Sequence, residues 1–169
     1  MDTITEHRAD AASWQPTATV RKWHDTATFE AGAEPDEVLA VDGNLLLNAG
    51  ITRLLNLLNG AGGQAFDATH CRVGVGNSTT AASAAQTDLQ GASKYFKLCD
   101  SASVSGQTMT VVATFGSSDG NFAWEEWGLD PGTASGATVT APLLNRKVAS
   151  LGTKASGSTW TFTVTITIS

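Results

Sequence analysis

Cysteine, histidine and charge are all scarce in this chain of 169 residues, and each shortage removes a class of function. With two cysteines only, Cys71 and Cys99, counting excludes a disulfide framework and a four-cysteine zinc site and leaves room for one bridge. The histidines His7, His24 and His70 stand far apart, none in a His-x-x-x-His spacing, so no metal or cofactor is expected. Ten basic side chains against sixteen acidic ones give a net charge of −6, which offers no basic face to a phosphate backbone. Direct nucleic-acid binding is therefore not expected. Long hydrophobic runs are missing as well: "MDTITEHRAD" has no apolar stretch of signal-peptide kind, and Leu45 to Leu47 is far too short to span a bilayer, so no membrane partner is expected. There is no Gly-x-Ser-x-Gly elbow and no Gly-Lys-Ser/Thr phosphate loop. "GVGNST", from Gly74 to Thr79, reads as a strand entering a turn.

What is present divides the chain in two. Residues 1–36 are polar and rich in Ala and Thr, with Trp14, Trp23 and Phe29 as widely spaced apolar anchors, and read as an extended N-terminal arm. Too poor in periodic apolar residues to offset its own ordering entropy, the arm is expected to dock on its own domain or on a neighbouring subunit. Residues 37–169 read as one all-β domain, a β-sandwich or jelly-roll-like fold with an immunoglobulin-like sandwich as the runner-up. Expected strands cover Glu37–Val41, His70–Val75, Ser93–Cys99, Thr108–Phe115, Phe122–Leu129, Leu143–Ala149 and Trp160–Ile168. "STTAASAAQTDLQG", from Ser78 to Gly91, is either a short capped helix or a long loop.

Two segments carry the strongest periodicity. In "NLLLNAGITRLLNLLNGAGG", Leu47, Ile51, Leu54, Leu55 and Leu58 recur at helical spacing and predict one helix near residues 44–59. Asn44 or Asn48 supplies its cap, Gly60 its stop, and the wide apolar stripe is expected to pack across a sheet or between subunits. In "TWTFTVTITIS", Trp160, Phe162, Val164, Ile166 and Ile168 alternate with threonines, so one face is core and the other hydroxyl-bearing. Such a strand is expected to be internal or paired across an interface.

"NFAWEEWGLD", from Asn121 to Asp130, sets two acids between two tryptophans. Strand alternation puts Phe122, Trp124 and Glu126 on one face and Ala123, Glu125 and Trp127 on the other. The carboxylates then diverge, whereas glycosidic chemistry needs them converging at about 5 to 9.5 Å. With no other catalytic constellation in sight, no enzymatic activity and no catalytic residue are expected. Trp124, Trp127 and Trp160 are expected in the core or a subunit interface rather than in a sugar-stacking platform. Cys71, on one strand face with Val73 and Val75, reads as a small buried hydrophobe.

Four segments, "GNLLLNAGITRLLNLL", "RVGVGNSTTAASAAQTDLQ", "ATFGSSDGNFAWEEWGL" and "LLNRKVASLGTKASGSTWTFTVTIT", together resemble a group of virion structural proteins from tailed bacteriophages. The arm's "VRKWHDTATFE" and "EVLAVDGN" are similar to that group's N-terminal approach. The resemblance implies a non-enzymatic particle component, made in the host cytoplasm and carried in the virion. The resemblance leaves the position on the particle open; the aromatic-studded arm adds the expectation of a capsid decoration (cement) protein on the outer capsid surface, its arm lying across the major capsid protein with Trp14, Trp23 and Phe29 as anchors. A tail fibre, baseplate or other tail component, with host-glycan binding as its extension, is the alternative. Self-association is expected, with a trimer favoured by capsid three-fold symmetry and a dimer equally able to satisfy the apolar count.

Overall fold

A computed structural model of the chain describes residues 13–132, 136 and 141–169. Among them, ten strands form two five-stranded antiparallel sheets packed face to face as a sandwich. Sheet 1 runs in the order β2 (Glu37–Asp42), β1 (Trp14–Trp23), β10 (Thr159–Ile168), β7 (Thr108–Phe115) and β6 (Ser101–Ser105). Sheet 2 runs β3 (Leu45–Leu46), β9 (Asn145–Thr153), β8 (Ala123–Asp130), β4 (Arg72–Gly76) and β5 (Lys94–Leu98).

The alternation of β10 is realised as read. Trp160, Phe162, Val164 and Ile166 are buried against sheet 2, and the intervening threonines cover the outer face of sheet 1. That face continues through Thr17 and Thr19 of β1 and Thr110 of β7 to Ser101 and Ser103 of β6. The core between the sheets is aromatic at one end, where the Trp124 ring lies 4.7 Å from Phe115 and 4.8 Å from Trp160. Quadrupole geometry favours these edge-on contacts over parallel stacking.

The boundary drawn between arm and domain at residue 37 is corrected by β1. Trp14–Trp23 pairs residue for residue with β10 and is itself flanked by β2, so it is an interior strand of sheet 1. Its alternation rests on Pro16, Ala18, Val20 and Lys22, a row too weakly apolar to signal a strand by itself. Pro16 is tolerated because β2 has its last paired residue, Asp42, opposite Thr17. Residues 1–12 of the expected arm lie outside the described residues. A five-residue helix, α1 (Thr26–Glu30), follows β1 and is capped by the Asp25 side chain.

The long helix, α2, spans Asn48–Leu58, inside the expected range. Neither asparagine caps it: Leu47 occupies the cap position and offers no side-chain bond. Gly60 ends it in the left-handed conformation, φ 73°. The expected packing of its leucine stripe is met in part: Leu47 at the cap is buried and Leu54 packs against the core, while Ile51, Leu55 and Leu58 are exposed and Gly50 is the one fully buried residue within the helix. At Gly50 the helix backbone rests on the carbonyl of Leu144, so close that any Cβ would collide with that main chain. The helix is bolted down at its smallest residue, with Leu54 as its side-chain contact to the core and its outer leucines left exposed.

Residues 78–91 form a loop, not a helix, and they lie over the outer face of sheet 2. There Leu47, Leu89, Phe96 and Leu143 make a second, smaller buried cluster. Its floor is Gly74 and Gly76: a Cβ on Gly74 would meet the Phe96 ring, and one on Gly76 the Glu126 carboxylate. The two glycines of "GVGNST" thus serve close approach of side chains to the sheet, consistent with a strand entering a turn.

Candidate functional site

The acid pair resolves into two unrelated groups. Trp124 pairs with Gly152 but Glu126 with Val148, so Glu125 stands opposite Ala149, Ser150 and Leu151. This irregularity breaks the alternation of β8. Trp124 and Trp127, expected on opposite faces, both enter the core, and the Trp124 indole N–H donates to the carbonyl of Gly120 at 2.8 Å. Glu125 accepts from the Ser150 hydroxyl at the surface, 3.1 Å away. Glu126 turns outward from the core but is fully buried beneath the 78–91 loop. Its carboxylate accepts from the Gly91 and Gln90 backbone N–H groups at 2.7 and 3.1 Å and from Arg146 Nε at 2.6 Å. Arg146, also fully buried, donates onward to Gln86 Oε1 and to the carbonyl of Thr80. Three bonds to the carboxylate and two onward from the guanidinium join the loop to sheet 2, and with both side chains fully buried Glu126 is a clamp.

Trp160 joins Trp124 and Trp127 in the core, and Lys22 Nζ sits 4.7 Å from its ring centroid. The three tryptophans therefore fill one domain's interior. Of the expected arm anchors, Trp23 is buried and its ring meets Phe29 edge-on at 5.0 Å, with the indole N–H donating to the Ala33 carbonyl. Wide sequence spacing had suggested that these side chains stay apart; the turn through α1 brings two of them together. Trp14 is half-buried and donates to Asn44 Oδ1 at 2.8 Å.

Polar side chains gather in two further places. Lys154, buried, donates to the carbonyls of Gly116 and Ser158 and to Asn121 Oδ1 at 2.7 to 2.9 Å, tying the β7–β8 loop to the β9–β10 loop. Burial pushes its ammonium down to about 8, with Asp119 pulling the other way. Asp119 itself is raised by burial, but Lys97, the Tyr95 hydroxyl and the Gly116 N–H outweigh that and hold it below the usual carboxylate range. Burial and the Asp119 carboxylate push Tyr95 up to about 12.

At the corner between β1 and α1, His24 Nδ1 lies 2.8 Å from Asp36 and Nε2 lies 3.3 Å from the Thr28 hydroxyl. The spacing has the outline of a nucleophile, base and acid. However, Asp25 also lies 3.3 Å from Nε2. The hydrogen bond to Asp36 and the fields of both aspartates raise the His24 pKa. The ring joins Asp36 to Thr28 across the α1 corner. Among the described residues, no three His, Cys, Asp or Glu side chains are grouped to hold a metal ion. Cys71 and Cys99 are buried free thiols; their mutual hydrogen bond and burial raise Cys71 well above its usual range.

The surface feature that the sequence did not announce is apolar. At one end of the sandwich the sheets part, leaving a groove of about 420 Å³ lined by Trp14, Leu54, Phe66, Val104, Met109 and Ile166, among others. Val104 on its rim is 73% exposed. Leu54 links the groove to α2, where Leu55 is 57% and Leu58 84% exposed. No helix among the described residues is long and apolar enough to cross a membrane. Set against known protein families, curated proteins and solved structures, the chain matches none.

Proposed function

We propose that the protein is a non-enzymatic structural component of a tailed phage particle, a decoration protein seated on the outer surface of the major capsid protein. The observation that carries this reading is the exposed apolar surface of α2 and the adjoining groove, held on a sandwich whose buried charges Glu126, Arg146 and Lys154 are engaged in clamps. The resemblance of four ordered segments to tailed-phage virion proteins supplies the partner. Anchoring belongs to Leu55 and Leu58 rather than to Trp23 and Phe29, whose rings pack on each other.

The test is copy number together with a surface variant. Quantitative densitometry of purified particles should place the protein near the stoichiometry of the major capsid protein; tens of copies or fewer would assign it to the tail. Leu55→Gln with Leu58→Gln should lower capsid occupancy by roughly tenfold or more, since each buried leucine contributes about 1.5 to 3 kcal/mol. Full occupancy of the double variant would reject the helix as the contact. Deletion of residues 1–30 is the wrong perturbation, because it removes β1 from the interior of sheet 1.

A further inference from the structure

Four strands bound the two sheets, and three of them are protected against pairing with another chain. β5 is covered where Phe96 and Gly136 exchange backbone hydrogen bonds of 2.7 and 3.3 Å, and it carries the ion-paired Lys94 and Lys97. β3 is only two residues long. β2 opens with Glu37 and closes with Asp42, so two copies laid antiparallel would set acid directly against acid. β6 has none of these devices. "SASVS", Ser101–Ser105, contains no charge, no proline and no break in its register with β7, and no strand among the described residues pairs with its other side. An open, neutral edge is a template for a further strand.

The sequence of that edge also matches itself. We infer that two copies of this chain associate through β6, antiparallel and edge to edge, about a two-fold axis at Ser103. Ser101 then faces the partner's Ser105, Ala102 faces the partner's Val104, and Ser103 faces its own copy. Side-chain chemistry agrees at every position: serine meets serine on the hydroxyl face, and alanine meets valine on the inner face. Asp100 falls opposite the partner's Gly106, so no like charges are opposed. Val104, 73% exposed on the rim of the apolar groove, gains a covering neighbour. The contact is isologous and closes at two copies, merging two five-stranded sheets into one continuous sheet. It meets the capsid contact proposed at α2 and the groove only at the Val104 rim, and it holds whether or not that contact exists.

Ser103→Cys reads this geometry directly. Residues facing each other across an antiparallel pair have Cα atoms about 4.5 to 5.5 Å apart, within disulfide reach. Under mild air oxidation the full chain carrying Ser103→Cys should form a covalent dimer, while Ser101→Cys and Ser105→Cys, each facing a serine, should not. Ser103→Asp, which sets two carboxylates against each other at the axis, should weaken the dimer roughly tenfold or more by light scattering at tens of micromolar. The emission of the buried Trp124 and Trp127 reports that this variant is folded. A wild-type chain that stays monomeric in the same range overturns the inference. So do Ser101→Cys crosslinking as readily as Ser103→Cys, and an oligomer that Ser103→Asp leaves intact.

Discussion

Glu126→Gln tests whether the buried acid of "EEW" is a clamp. The substitution preserves shape but removes the charge facing Arg146, whose side chain is 0% exposed. It also turns an amide NH2 toward a site where two backbone N–H groups and a guanidinium already donate. Breaking one partner of a buried ion pair costs about 3 to 5 kcal/mol, most of it from the charge left behind. With a urea slope of about 2 kcal/mol/M, the unfolding midpoint should fall by roughly 1.5 to 2.5 M, followed by fluorescence of the core tryptophans. Glu125→Gln, one residue away but bonded only to Ser150 at the surface, should stay within about 0.5 kcal/mol of wild type. Replacing both partners, Glu126→Leu with Arg146→Leu, should cost less than the sum of the single changes, because neither charge is then stranded. A Glu126→Gln midpoint indistinguishable from that of Glu125→Gln would refute the clamp.

Lys154→Met should cost about 3 kcal/mol, because it strands three oxygen acceptors in a buried site, and calorimetry should show a melting point lower by roughly 6 to 12 °C. The Asp119 carboxyl is held below its usual 3.8, so its stabilisation is complete above that pH and is lost as the pH falls through the lowered value. Asp119→Asn should accordingly flatten the acid limb of the stability profile, and unchanged acid limbs would reject the assignment. Gly50→Val should cost about 1 to 3 kcal/mol or more by driving α2 off the Leu144 main chain, whereas Leu58→Ala should be neutral within about 0.5 kcal/mol in urea titration. Cys71 and Cys99 should resist a thiol reagent until the protein unfolds; rapid reaction in the native state would contradict their burial.

How much of this could be read beforehand depends on how directly each element writes its surroundings into its own residues. β10 was legible because every inward position is large and apolar and every outward one is threonine. β7, with Thr108 and Phe115 as its ends, was found within the same bounds. β1 was missed because its inward row includes proline and lysine, and only pairing with β10 gives those residues a core to face. β6 was missed for a related reason, since an exposed edge of serines carries no burial signal. In β8 the alternation was read correctly as a pattern but placed Trp124 and Trp127 on opposite faces, because the break opposite Ala149–Leu151 is written in the partner strand. Helical spacing located α2, but spacing reports a stripe and not whether anything covers it. The clamp on Glu126 draws on Thr80, Gln86, Gln90, Gly91 and Arg146, separations that no local pattern spans.

The pairing of β1 with β10 has a consequence for how the chain is made. Sheet 1 joins Trp14 to Ile168 and Trp23 to Thr159, so its middle cannot zip until nearly the whole of the described chain has emerged from the ribosome. Sheet 2 is different: β4, β5, β8 and β9 lie between residues 72 and 153, and three of their pairings can form while β10 is still being synthesised. During that interval the inner face of sheet 2, with Trp124, Trp127 and Leu129, has only the β6–β7 hairpin of sheet 1 to pack on and lacks β1 and β10 as a paired unit. Late, long-range closure of this kind slows folding and lengthens the time for which apolar surface is open to wrong partners. Slowing elongation after residue 153 should therefore raise the demand for chaperones more than the same pause before residue 72, when sheet 2 does not yet exist.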